Sequence, residues 1–281
     1  MTLFLQQWYG ELLKLFSRRR TYIGFGVFIA LEILLLWRIH ASGLGLLQRA
    51  ILGSGGDFSS YFSALTVALQ IVSWTVFLLG SLFISLVAGD IVAKENEDGH
   101  LRLLLARPIS RFRLLLLKFL TCQFYSVCLI QFLACSAFLL GVLLRGWGGG
   151  FFFWLLDADF VALYSWEEGI KRYAIGMFAM GLSLTVMSSV AFFLSCFRIK
   201  PAAATIGALA YLLADYIVRL NGVLQSYKHL LLTQHMSVWT RFFAENIDWP
   251  LIWRGYAVVF AVNMTLFTLG YAVFESRDLK S

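Results

Sequence analysis

The stretch LLLLKFLTCQFYSVCLIQFLACSAFLLGVLL, Leu114 to Leu144, decides the fold. It carries one charge, Lys118, near its start, and no proline. A bilayer core about 30 Å thick is crossed by roughly 20 apolar residues in a helix, and this run is longer. A helix that is apolar all round has no face for water, so the run is a membrane span that tilts or extends beyond the lipid. Outward from it, Thr21 to Ile39, Tyr61 to Ala88, Tyr173 to Phe197, Pro201 to Val218 and Trp253 to Phe274 meet the same criterion. The chain is therefore read as an all-α integral membrane protein with about six transmembrane helices. Composition agrees: hydrophobic residues make up 60% and charged residues 14% of the 281, against about 45–50% and about 25% in soluble domains. A soluble enzyme and a disordered or fibrous protein are excluded.

The net charge of +7 does not point to nucleic acid, because of where it lies. Lys14, Arg18, Arg19 and Arg20 precede the first span. Lys94, Arg102, Arg107, Arg111, Arg113 and Lys118 fall between or at the ends of spans two and three, Arg198 and Lys200 between four and five, and Arg277 and Lys280 after six. These are most of the 23 basic residues, and they share one side if the N-terminus is inside. Both termini are accordingly expected in the cytoplasm and the protein in the cell membrane. Ser17-Arg18-Arg19-Arg20 faintly resembles an export signal, but an amphipathic segment precedes it and no small-x-small site follows, so the first span reads as an anchor. The four cysteines, Cys122, Cys128, Cys135 and Cys196, sit inside apolar runs at no metal-ligand spacing and read as packing residues.

The inner connection, about residues 89–113, is the most charge-dense part of the chain. Asp90 to Asp98 contains good helix formers, and Gly99 suits the left-handed residue that ends a helix. Leu101, Leu104 and Leu105 share one face of a short helix that Pro108 breaks, and Ser110 can cap the next. Helix, stop, short amphipathic helix, stop, helix is a shape suited to docking on a cytosolic partner.

Glu95, Gly99, the leucines, Pro108-Ile109-Ser110-Arg111 and Lys118 together resemble the pattern of the permease subunits of type-2 ATP-binding-cassette (ABC) transporters. His100 stands where that family usually has threonine, and Leu117 where glycine often precedes the lysine. Two further segments are similar: Glu11 to Phe16 ahead of the arginines resembles the family's N-terminal interfacial elbow helix (about residues 3–18). Phe274-Glu275-Ser276-Arg277-Asp278-Leu279 resembles its usual ending. The resemblance implies one permease domain over residues 1–281, with a coupling helix in the inner loop that sits in a cleft of a separate cytosolic ATPase subunit. It implies a second permease copy, identical or related, and export driven by ATP. On that reading Glu95 and Glu97 accept charge-assisted hydrogen bonds from the ATPase, and Arg107 and Arg111 pair with its acidic groups or with lipid phosphates. Gly99 and Pro108 set the angle of the docking helix. No Gly-x-x-x-x-Gly-Lys-[Ser/Thr] loop is present, so this chain is expected to be non-catalytic and to bind no cofactor, with ATP and magnesium held by the partner.

Glu32 lies mid-span, where an unpaired charge is expensive; it is expected on a transport pathway or at a permease dimer interface. Asp215 and Arg219, four apart, suit a helical ion pair. Gln70, Gln123, Gln131 and Asn263 suit interhelical hydrogen bonds, and Ala203 with Gly207 suits a close helix contact. The outer connections, about 145–172 and 219–252, carry an aromatic run, Phe151 to Leu156, that suits an interfacial helix. Trp239 and Trp249 suit an aromatic belt. His229 and His235, six apart, are poorly placed for a metal pair. No Ser/His/Asp set, no paired carboxylates on one span and no zinc helix is seen. Two other readings stay open: a membrane anchor for an ATPase-driven assembly or maturation complex without conventional cargo, and a membrane-embedded enzyme acting on lipid.

Overall fold

In the computed structural model, described for residues 3–17, 19–42, 45–97, 110–155, 160–220 and 230–276, every long apolar run forms a helix. The elbow is α1 (Leu3–Phe16) and the first span α2 (Arg19–Ser42). Two short helices, α3 (Gly45–Gly53) and α4 (Phe58–Tyr61), lead into α5 (Ala64–Thr75), a π-helical turn (Val76–Gly80) and α6 (Ser81–Glu97). Then come α7 (Arg111–Arg145), the strands β1 (Phe151–Phe153) and β2 (Ala162–Tyr164), α8 (Trp166–Ser195) and α9 (Pro201–Leu220). The chain closes with α10 (Leu232–Met236), a 3₁₀ turn (Ser237–Phe243) and α11 (Trp249–Glu275). Among the described residues six helices are long and apolar enough to cross a membrane, as the sequence predicts. The second, α5 through α6, does not end at Ala88. It stays helical to Glu97 and carries Asp90, Lys94 and Glu95 two turns further.

The centre of the bundle is α8 and the α5–α6 span, with 72% and 67% of their most apolar stretches buried; α9, at 22%, lies at the periphery. Small residues explain this centrality. A Cβ on Gly141 of α7 would lie 2.7 Å from the Ala64 carbonyl oxygen, so α5 and α7 touch backbone to backbone only because that position is glycine. Between α6 and α9 the close contact is made by Gly89 against Ala204 and Thr205. Ala204 and Ala208 are buried there, whereas Ala203 is exposed. The small-residue pair thus sits one position beyond Ala203 and Gly207, because the α9 face turned to α6 is set by Gly89.

One end of the bundle gathers α1, the end of α6, the start of α7 and the end of α11, where Arg111 Nη1 donates to the Glu275 carbonyl at 3.0 Å. This is the basic end. At the far end the expectation of an interfacial helix is corrected. Phe151–Phe153 pairs antiparallel with Ala162–Tyr164, Phe151 opposite Tyr164, and all three phenylalanines are buried. Gly146, Gly148 and Gly149 adopt positive φ and stop α7, and a run of aromatics then favours a pleated, packed strand over another helix. Phe153 stacks on Phe243 at 4.6 Å, and the Tyr164 hydroxyl donates to the Phe243 carbonyl at 2.7 Å. Burial pushes the Tyr164 hydroxyl above its ordinary pKa, with the Arg172 guanidinium opposing. Trp239 is buried in this plug and is no belt residue; Trp249 and Trp253 are exposed.

Candidate functional site

Gly99, Leu101, Leu104, Leu105, Arg107 and Pro108 lie outside the described residues. The two legs that hold the inner loop are described, and both end in charge. Ser110 caps α7, its hydroxyl accepting from the Arg113 amide at 3.3 Å. Glu97, at the end of α6, is exposed.

Glu95 is not exposed. Its side chain is 2% accessible and Lys118, two turns into α7 on the other side of the loop, is 0% accessible; Lys118 Nζ lies 2.7 Å from Glu95 Oε2. Lys118 also reaches Glu11 Oε2 at 3.2 Å, and Lys14 Nζ contacts Glu95 Oε1. Two acids and two bases from α1, α6 and α7 therefore alternate around one point. Local packing brings α1 there. Leu15 is buried, Trp8 meets Phe124 edge-on at 5.8 Å and Phe16 packs on Tyr125. The buried Thr21 hydroxyl donates to the Leu15 carbonyl at 2.7 Å and closes the bend into α2. Arg113 sits over the Phe4 ring at 5.9 Å.

A charge taken out of water is costly unless it is paired and hydrogen-bonded. The fourfold arrangement satisfies Lys118 from two sides, and its net charge is zero. Mechanically it makes the elbow and both legs of the inner loop one unit: a shift of either leg must carry α1 with it or break a buried pair. The Glu95 carboxylate is thereby engaged within the chain, on Lys14 and Lys118. The sequence shows each charge but not the cluster. The available signals are a lysine inside the apolar run of α7, and Glu11 and Lys14 three apart on α1, hence on one helical face.

Glu32 is fully buried and turns to α7, where Ser136 Oγ donates to its Oε1 at 2.9 Å. Its Oε2 has no partner among the described residues. The predicted interhelical hydrogen bonds are present. Gln123 Nε2 donates to Ser189 Oγ at 2.7 Å, Ser189 Oγ to Asn263 Oδ1 at 2.7 Å, and Asn263 Nδ2 to Thr185 Oγ1 at 2.9 Å. This relay joins α7, α8 and α11. Gln70 and Gln131 donate to the carbonyls of Trp154 and Met177.

Asp215 and Arg219 do not pair with each other. Asp215 accepts from the amides of Leu232 and Thr233 at 3.2 and 2.8 Å, and Arg219 Nη1 donates to the Thr233 carbonyl at 3.3 Å. A helix start offers free amides, and these outcompete a side chain four residues along the same helix. His235 lies in α10; His229 is outside the described residues.

Residues 9–215 match the family model described as "ABC-2 family transporter protein". The "Uncharacterized protein YhcI" of Bacillus subtilis (strain 168) is 38% identical over 72 residues, which are 26% of this chain. The matched part spans only 23% of that relative's length.

Proposed function

The chain belongs to the ABC-2 family of transporter proteins, a multi-pass permease of the cell membrane, and from that premise we propose that it is the membrane half of an ATP-driven exporter. Residues 1–281 act as one permease domain. ATP and magnesium are bound and hydrolysed by a separate cytosolic ABC ATPase, and two permease chains, identical or related, face each other across the pathway. The inner loop, whose Leu101, Leu104 and Leu105 the sequence predicts to share one helical face, docks in the ATPase.

The observation that carries this reading is the charge cluster built on the buried Glu95–Lys118 pair, with Glu11 and Lys14 of the elbow around it. A permease driven from below needs a stiff connection between the loop that is pushed and the spans that move. A neutral network with a buried core, holding both legs of that loop to the elbow, supplies one. Glu97, exposed beside it, remains open to a partner's basic groups.

The test is purification of tagged chain from its native membrane in mild detergent, with every stoichiometric partner identified. The expected result is a P-loop ATPase that is lost in Leu104→Asp/Leu105→Asp, while the variant stays in the membrane with an unchanged elution profile. Absence of any ATPase under conditions that preserve other membrane complexes overturns the reading.

A further inference from the structure

At the far end of the spans, away from the charge cluster, a cavity of about 250 Å³ lies between the α5–α6 span, α8, α9 and the α10–3₁₀ segment. Its apolar wall includes Trp74, Phe77, Met180 and Leu184. Phe77 belongs to the π-helical turn Val76–Gly80. Such a turn inserts one residue into the helix, turns side chains off the regular register, and recurs at functional sites. The depth of the cavity follows from the helices. Arg219 lines it one residue before α9 ends, whereas Met180 lies fourteen residues into α8, about 20 Å along it at 1.5 Å per residue. The cavity therefore runs from the level of the span ends towards the middle of the membrane.

Among the described residues that line it, Arg219 is the charged one. Its guanidinium has one hydrogen bond among the described residues, to the Thr233 carbonyl. Among the described residues no carboxylate lies within ion-pair distance of it, since both Asp215 oxygens accept from the Leu232 and Thr233 amides instead. A half-buried guanidinium at the head of an apolar slot, with donors that no described residue takes up, suits an anionic group.

We propose that this cavity binds a single-chain amphipathic molecule with an acidic head, the head on Arg219 and the chain along Phe77, Met180 and Leu184. Its size sets the single chain: sites that enclose whole drug-sized ligands run about 300–1,000 Å³, and about 250 Å³ holds one chain, not two. Its use as a cargo site rests on the transporter reading; the binding does not, and it is measured with no ATPase present.

The probe is ω-bromoundecanoate, a chain with a carboxylate at one end and a fluorescence-quenching bromine at the other, and its neutral match is ω-bromoundecanol. Each is titrated into the chain held in nanodiscs of zwitterionic lipid. The expected result is saturable quenching, with the acid bound about tenfold more tightly than the alcohol, the scale of one charge-assisted hydrogen bond. Replacing Trp74 and Trp239 together by phenylalanine removes most of the saturable component, which places the probe in the cavity. Arg219→Gln brings acid and alcohol within about twofold, and Arg219→Lys restores most of the preference. Displacement of the acid by anionic phospholipid in the disc identifies one chain of a bilayer lipid as the natural occupant; no displacement identifies a free single-chain acid. Equal affinity for acid and alcohol in the unaltered chain, or a preference that survives Arg219→Gln, overturns the proposal.

Discussion

Lys118 and Glu95 sit 2.7 Å apart with almost no exposure, on helices that flank the inner loop. The pair is closed on either side by Glu11 and Lys14 of the elbow. Two buried charges from opposite legs of one loop hold those legs at a set separation, and the elbow locks the arrangement from outside.

That geometry ranks the members of the cluster. Lys118→Met leaves Glu11 and Glu95 facing each other with Lys14 alone to balance them, and is expected to cost about 3–5 kcal/mol. Glu95→Gln leaves Lys118 paired with Glu11 and costs less. Glu11→Gln, at the more exposed and longer contact, costs about 1 kcal/mol or below. Thermal unfolding midpoints in detergent should fall in that order, and a Glu11 variant as damaging as the Lys118 variant contradicts it.

Glycine at 141 is a packing requirement. Gly141→Ala places a methyl 2.7 Å from the Ala64 carbonyl, and a backbone atom cannot swing aside, so a loss of about 1–3 kcal/mol is expected. Gly26→Ala meets nothing within 4 Å and should be neutral or stabilising by about 0.5–1 kcal/mol through helix propensity. The two unfolding midpoints, measured side by side, check this.

The buried carboxyl of Glu32 depends on Ser136. Ser136→Ala removes its hydrogen bond and is expected to destabilise by about 1–3 kcal/mol. The double variant Glu32→Leu/Ser136→Ala removes both partners at similar volume and should regain most of that loss. A double variant no better than the single one shows that the carboxyl has another partner.

Side-selective labelling checks orientation. In a chain cleared of Cys122, Cys128, Cys135 and Cys196, a membrane-impermeant thiol reagent applied to intact cells is expected to label Ser59→Cys, which lies on an exposed residue of α4. Ser276→Cys, beyond α11 at the basic end, should label only after permeabilisation. The reverse pattern places the basic end outside.

Much of this architecture is legible in one dimension. The six spans follow from runs of apolar residues, because every backbone group in lipid must be satisfied within its own helix. The Ser110 cap follows from residue type, and the polar bridges of Gln123 and Asn263 follow because a polar group in such a helix needs a partner. The errors share a cause. Phe151 to Leu156 reads as a surface helix when nothing shows what lies above it; in the fold Phe151–Phe153 is a buried strand because Phe243, about ninety residues later, covers it. Asp215 and Arg219 read as a local pair because the competing amides of Leu232 and Thr233 belong to a different element.

The sequence alone determined what most segments are: spans, a basic side, an elbow, and a charged loop between two long helices. These are properties of hydration and hydrogen bonding within a segment, and they need no partner. Only the tertiary structure decided which charges meet. Glu11 and Lys118 are 107 residues apart and Lys14 and Glu95 are 81 apart, and no periodicity along a chain says which face of one helix will be pressed against which face of another. The far-end cavity arises in the same way, because Arg219 and Phe77 acquire a common purpose only once packing has left a space between them.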